Sequence, residues 1–203
     1  MSLKIIDLSV VCSNNTPGVS IKLQDDLPVY LGYECYAYDL DIKSHTGTYF
    51  ETSSHLFRNG TNTDRYPLDN LILPCFCARI NSSQRCITAS MLESAAGEIK
   101  PNHALLVDTC GDKGKYFSKD AAVWMAQKKV KLFGSNVNRY DTGFENPTGF
   151  FVDLFEAEIP IIASLRNLEM LERNGLTLIV LPLKIHGVCT VPCRVVAVYG
   201  LNL

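Results

Sequence analysis

Short apolar runs separated by turn-forming residues recur along this sequence and predict a series of buried strands. Runs of this length, rich in β-branched side chains, are typical of strands. They occur at 4–11, 73–80, 103–109, 130–135, 159–164, 176–182 and 193–200. The segment 34–45 instead alternates large apolar with polar side chains, which predicts a half-buried strand.

Helix signals lie between several of these strands. Thr88 and Ser118 are good N-caps for helices at 89–96 and 119–129, and a third helix is predicted at 165–173. Because strands and helices alternate through the second half, we expect an α/β fold whose mixed sheet includes parallel pairs. A length of 203 residues suits a single domain covering 1–203.

Composition and charge narrow the classes of partner. Hydrophobic residues make up 47% of the chain and charged residues 20%, which is ordinary for a soluble globular protein. The formal net charge is -2, and no basic run is long enough to predict binding of nucleic acid or of an anionic membrane. The N-terminus lacks the apolar segment of a signal peptide, so a cytoplasmic protein is expected.

The eight cysteines are expected to be mostly reduced and buried, because the chain lacks secretory features and is too long for a disulfide-stapled miniature scaffold. Cys75 and Cys77 would share one face of a strand. Cys189 and Cys193 flank a turn that contains Pro192. Neither pair has the C-x-x-C form of the usual zinc sites.

The stretch SHTGTYFETSSH at 44–55 holds the densest polar chemistry of the chain. It contains two of the four histidines, His45 and His55, together with Tyr49 and Glu51. Two histidines and a carboxylate suffice for a zinc or manganese site with water in the open position. The same set could instead supply an acid, a base and an orienting carboxylate. A turn whose polar side chains only satisfy the local backbone is the third interpretation.

This stretch resembles the signature H-x-G-T-H-x-D-x-P-x-H of the metal-dependent cyclase or kynurenine formamidase (arylformamidase-like) family. The similarity continues, in order, through HLFRNGTNTDRYPLDNL, ITASMLESAAGEIKPNHALLVDT, IPIIASLRNLEML and LPLKIHGVCTVPCRVVAV. The last two are similar to family segments that read I-x-I-x-E-G-L-x-N-L and P-L-K-I-x-G-x-x-G-x-P-x-R. Matches in the family's order over nearly the whole chain make the resemblance specific.

The resemblance implies a swivelling β/β/α domain that assembles as a homodimer or homotetramer. It also implies hydrolysis of amide or lactam bonds with bound divalent metal, while a histidine transfers the proton. By this resemblance His45 corresponds to a metal ligand and His55 to the acid–base residue.

Several family ligands are replaced in this chain. Tyr49 stands where the signature has a second histidine, and Glu51 where it has an aspartate; two later ligands fall on Phe151 and Ala163. Glutamate keeps the charge, whereas a phenol with a pKa near ~10 coordinates poorly, and phenylalanine and alanine cannot coordinate. The family's binuclear site is therefore expected to be reduced to one ion at most.

Three hypotheses follow. The first is a small-molecule amide or cyclic-amide hydrolase with His45 and Glu51 at a reduced metal site and His55 as acid–base; His55 would lose that role if it also bound the ion. The second is an inactive homologue that binds a small ligand. The third is a metal-independent hydrolase or isomerase that uses these residues with Tyr49 as hydrogen-bond donor to an oxyanion.

Overall fold

A closed barrel of seven strands forms the centre of the fold, with three helices against one side of its outer surface. The structure, a computed structural model, describes residues 3–201. The strands in chain order are β1 (Lys4–Asp7), β2 (Val19–Leu23), β3 (Val29–Tyr30), β4 (Tyr33–Glu34), β5 (Tyr38–Ile42), β6 (Tyr49–Glu51), β7 (Ile72–Arg79), β8 (Cys86–Ile87), β9 (Ala104–Asp108), β10 (Tyr116–Phe117), β11 (Leu132–Ser135), β12 (Ile161–Ala163), β13 (Leu176–Pro182) and β14 (Thr190–Tyr199). The helices are α1 (Ala89–Ala96), α2 (Lys119–Gln127) and α3 (Phe150–Glu156), and single 3-10 turns lie at Ser53–His55, Thr63–Arg65, Leu68–Asn70 and Leu168–Met170.

The strand order around the barrel is β14, β13, β7, β9, β11, β12 and β6, and β6 closes the ring by pairing with β14. β7, β9, β11 and β12 run parallel to one another. The connections between them contain α1, α2 and α3 in turn, since parallel strands need long crossovers. The predicted α/β class, with a mixed sheet in a swivelling β/β/α domain, is confirmed.

Side chains alternate between two cores because successive residues of a strand point to opposite faces. On β7, Cys75 and Cys77 lie in the apolar interior of the barrel, to which all seven strands contribute. Phe76 and Ala78 point outward and pack under the helices. The predicted shared face of the two cysteines is therefore confirmed. All eight cysteines are free, but only these two are buried, so the expectation that most are buried is wrong.

Residues 19–42 form an arm outside the barrel. Within it β2 pairs with β5 and β3 pairs with β4, and neither pair joins the large sheet. The strand predicted in 34–45 is present as β5. All five residues of β5 are exposed, however, so the prediction that one face of this strand is buried is wrong. Within residues 3–201, no second layer packs against the alternating side chains of β5.

The helices at 89–96 and 119–127 lie where their caps predict them, whereas the helix predicted at 165–173 is wrong. Asn167 has φ 57° there, a left-handed conformation that interrupts a right-handed helix. Leu165, Leu168 and Leu171 are spaced as in a helix, yet they pack into the barrel from a 3-10 turn and its flanks. None of the helices within 3–201 is long and apolar enough to cross a membrane.

Candidate functional site

Strand β6 presents two of the candidate residues on the outer face of the barrel. Phe50 points inward and is fully buried in the interior core, so its neighbours Tyr49 and Glu51 point outward. Glu51 is paired on one side with Ile161 of β12 and on the other with Thr190 of β14. This central position leaves only 3% of Glu51 exposed.

A tight turn before β6 places the side chain of His45 beside the outer face of this strand. Gly47 has φ 64°, and a Cβ there would lie 2.5 Å from the Cys12 sulfur, so the turn requires glycine. The Thr48 hydroxyl fastens the turn by accepting from the Val10 N–H and donating to the Ser164 carbonyl. The ring of His45 thereby lies 5.2 Å from the ring of Tyr49.

The 3-10 turn after β6 positions His55. Its backbone N–H donates to the Thr52 carbonyl at 2.9 Å. The hydroxyl of the buried Ser53 donates to the Glu158 carboxylate at 2.8 Å, which ties the turn to the end of α3. His45 and His55 reach the same point from opposite ends of β6, with their ring centroids 5.1 Å apart.

Glu51 lies at the centre of the cluster. Its carboxylate oxygens are 3.3 Å from His55 Nε2 and 3.9 Å from His45 Nε2. One ligand atom from each of the three residues lies within 4.8 Å of the other two. We refer to His45, Glu51 and His55 as the donor side of the site.

Burial dominates the electrostatics of the donor side. It raises the pKa of Glu51 to about 7 and lowers the pKa of both histidines, with the charge of His55 adding to the effect on His45. Within residues 3–201, only the two histidines lie at ion-pair distance from Glu51. A buried carboxylate without a fixed positive partner has the electrostatics of a site that can accept a cation.

The other positions where the resemblance expects ligands form what we call the substituted side: Tyr49, Phe151 and Ala163. Ala163 is in register with Tyr49 on the adjacent strand and is buried on the same face. Phe151, in α3, packs against Tyr140 with a centroid distance of 6.2 Å. Burial raises the pKa of Tyr49 to about 12, so its phenol stays protonated at neutral pH. This side supplies apolar surface and one hydroxyl, but no ligand suited to a second ion.

Cys189 is a neighbour of the site that sequence reasoning did not assign to it. Its sulfur lies 3.7 Å from Nδ1 of His55, on the opposite edge of the ring from Glu51. The residue precedes β14, which pairs with β6, so the contact depends on closure of the barrel. Sequence analysis missed this contact because Cys189 lies 134 residues after His55. The one available signal was that Cys189 belongs to the last segment that matches the family. His186, from the same segment, is exposed and pairs with Asp64 instead.

An open cleft of about 490 Å³ adjoins the donor side and is lined by Pro17, Gly18, Lys43, Ser44, His45 and Thr46. It lies between the base of the arm and the turn before β6. A small molecule bound there would contact the exposed part of the His45 ring.

The chain is similar to known proteins over most of its length. A family model described as "Putative cyclase" matches residues 6–142. An isatin hydrolase solved with the product analogue thioisatinate is 21% identical with a TM-score of 0.81, covering 97% of this chain and 92% of its own. Isatin hydrolase A from Ralstonia solanacearum is 19% identical with a TM-score of 0.80, again covering 97% and 92%. A "predicted metal-dependent hydrolase" from Bacillus stearothermophilus is 22% identical with a TM-score of 0.77, covering 98% and 99%. None of the curated proteins matches the sequence significantly.

Proposed function

The chain belongs to the cyclase family, and we propose that it hydrolyses a small-molecule amide or cyclic amide at one divalent metal ion, zinc or manganese, held by His45, Glu51 and His55. The observation that carries this proposal is the convergence of three donor atoms within 4.8 Å at the buried carboxylate. Isatin, the substrate named for two similar structures, is itself a cyclic amide.

The donor set fits one ion. Two imidazoles and a carboxylate, with a fourth position left open, are the usual protein ligands of catalytic zinc. A cation beside Glu51 would also offset the burial that raises the pKa of this carboxyl group to about 7. The substituted side does not fit a second ion, because Phe151 and Ala163 have no donor atom. Such an ion supplies positive charge that acidifies water and polarises a carbonyl group.

The residues of this chain then bind and orient the substrate. The protonated hydroxyl of Tyr49 can donate a hydrogen bond to the carbonyl oxygen of the substrate. This hydrogen bond strengthens as negative charge develops on that oxygen. Phe151, which is only partly buried, offers apolar surface to an aromatic or aliphatic body of the substrate. In this arrangement His55 holds the ion rather than transferring a proton, which departs from the role that the family resemblance implies.

Metal analysis and turnover test the proposal together. Protein purified without chelator would be assayed for bound metal and for hydrolysis of isatin, N-formylkynurenine and simple lactams, before and after EDTA treatment. One ion per chain with EDTA-sensitive turnover is expected. Turnover that survives complete metal removal would contradict the metal role and favour a metal-independent mechanism. Absence of both metal and turnover, with binding of these compounds retained, would favour an inactive ligand-binding homologue.

We further propose that the chain forms homodimers or homotetramers through the arm at 19–42. Isolated two-stranded ribbons are only marginally stable in water, and this arm is apolar on its surface. Its exposed large hydrophobic residues are Leu23, Val29, Tyr30, Leu31, Tyr33, Tyr36, Tyr38, Leu40 and Ile42. It carries five acidic residues and one basic residue.

A second copy of the chain offers a complementary surface. The segment 181–186 exposes Leu181, Leu183 and Ile185 beside Lys184, with no acidic residue. Two copies related by a two-fold axis could therefore make the same contact twice. Light scattering would show a dimer or tetramer for the wild type and a monomer for Tyr38→Asp/Leu40→Asp. Phe144→Asp, at an exposed position outside residues 19–42, is the control. A monomeric wild type at micromolar concentration would contradict this proposal.

A further inference from the structure

Cys189 is fixed against the donor side by its own backbone. Its carbonyl oxygen accepts two hydrogen bonds from Thr52, from the backbone N–H at 3.0 Å and from the hydroxyl at 3.1 Å. Thr52 is fully buried and directly follows Glu51 in sequence. The backbone of Cys189 is therefore held against the short segment that carries the ligands.

The Cys189 thiol contacts the one ring nitrogen of His55 that does not face Glu51. Sγ is 3.7 Å from Nδ1, whereas Nε2 is 3.3 Å from the Glu51 carboxylate. The Thr190 hydroxyl donates to the same sulfur at 3.5 Å, which restrains the thiol. Sulfur and carboxylate thus hold the imidazole from its two edges.

We propose that Cys189 is a positioning residue for the metal ion: its sulfur accepts the Nδ1–H of His55 and so directs Nε2 of that ring to the ion. A ring nitrogen that binds metal carries no proton, so the proton of the neutral ring must lie on Nδ1. Metal-binding histidines commonly donate this second N–H to a partner that fixes the tautomer and the ring orientation. Here the partner is a thiol rather than a carboxylate or carbonyl.

This inference rests on the proposed function but adds a residue that the family resemblance does not assign. Cys189 falls on an unspecified position of the last matching segment, LPLKIHGVCTVPCR, two residues after Gly187. The role follows from the two distances at the His55 ring and from the fixed backbone of Cys189. It is therefore specific to this chain's own residues.

Zinc affinity, measured by competition with a chromophoric chelator, is the primary test. Loss of an outer partner of this kind typically weakens metal binding by about 10- to 100-fold, and we expect that loss for Cys189→Ala. Cys189→Ser should recover part of it, because a hydroxyl oxygen can accept the same hydrogen bond. Cys110→Ala, at an exposed cysteine that makes no contact with the donor side, is the matched control and should bind like the wild type.

Imidazole ¹⁵N spectra of the zinc-loaded protein give a readout that a merely structural role would not change. The His55 Nδ1 signal should shift in Cys189→Ala, whereas the His103 signals should not. Equal zinc affinity in wild type and Cys189→Ala, with both folded by circular dichroism, would overturn the role of Cys189 alone. A wild type that binds no zinc would overturn the proposed function and the metal-directing role with it. A covalent acyl adduct on Cys189 during turnover would also overturn the inference, by making this thiol a nucleophile.

Discussion

The donor side of the site comes from one short segment, whereas the substituted side combines one residue of that segment with two from distant elements. His45, Glu51 and His55 come from eleven consecutive residues around one strand, and their positions are fixed by a glycine turn, β6 and a 3-10 turn. Tyr49 lies on β6 beside Glu51, whereas Phe151 and Ala163 come from α3 and β12. Donor chemistry is kept at His45, Glu51 and His55, and is lost at one position of the same segment, Tyr49, and at both positions that distant elements supply. Enough remains for one ion, and too little for two.

The largest expected effect comes from removing the only charge of the donor side. Glu51→Gln keeps the shape of the side chain but cannot offset the charge of an ion, and the carboxylate contacts both histidines. We expect zinc affinity to fall by more than about 100-fold, beyond the usual cost of losing an outer partner. Chelator competition measures it, with Glu98→Gln in the exposed Arg173 pair as control. An affinity within tenfold of the wild type would show that Glu51 is not a ligand.

The second-largest effect is expected from pH, because the zinc affinity of the donor side depends on the protonation of Glu51. In the metal-free protein the pKa of Glu51 is about 7, so below pH 7 an ion must displace a proton from this carboxyl group. Zinc affinity should therefore fall by about tenfold per pH unit below 7 from this group alone. The histidines, whose pKa values are lowered by burial, contribute only at lower pH. A flat affinity between pH 6 and 7 would contradict this assignment.

The same titration predicts the stability of the chelator-treated protein. The folded-state pKa of Glu51 is above its ordinary value of 4.5, so the folded protein binds the extra proton. This stabilising contribution is fully present below pH 4.5 and is lost as the pH rises through about 7. The lowered histidine pKa values act in the opposite direction, with stability gained as the pH rises toward 6.5. Thermal unfolding of Glu51→Gln should lack the loss of stability that Glu51 causes in the wild type between about pH 4.5 and 7.

Restoring donors on the substituted side should double the metal content. Ala163 and Tyr49 are in register on one face, so the pair Tyr49→His/Ala163→Glu places an imidazole beside a carboxylate. We expect bound zinc to rise from about one to about two per chain, measured by elemental analysis after dialysis. The buried Ala163 makes overpacking costly, by about 1–3 kcal/mol. The control Tyr49→His/Ala163→Gln has the same side-chain bulk without the carboxylate charge, and its zinc content should stay near one ion per chain.

The local origin of the donor side explains why it could be predicted from sequence. Spacing and residue type placed His45, Tyr49, Glu51 and His55 around a common point, and the structure brings their side chains together. Cys189 could not be predicted, because its contact with His55 arises from the pairing of β6 with β14 across 134 residues. Local pattern specifies a segment; it does not specify which distant strand closes a barrel against it.

Two errors in the predicted fold have the same cause. Leu165, Leu168 and Leu171 have helical spacing, but the left-handed Asn167 and burial inside the barrel override it. The alternating pattern of 34–45 predicts a buried face, yet β5 lies in an arm that no other part of residues 3–201 covers. In both cases the apolar pattern is genuine, but sequence spacing alone does not specify the tertiary surroundings of the segment.

The smallest effect on metal binding is expected at Tyr49. Burial raises its pKa to about 12, so the phenol stays protonated and is a poor ligand near neutral pH. Tyr49→Phe should therefore change zinc affinity by less than about threefold, within the spread of ordinary packing changes. Turnover should fall more than affinity, because removing one donor to a developing oxyanion costs up to about 10²–10³ in kcat in well-formed sites. Affinity and kcat measured on the same preparation separate these effects. A parallel loss of both would make Tyr49 a ligand and place it on the donor side.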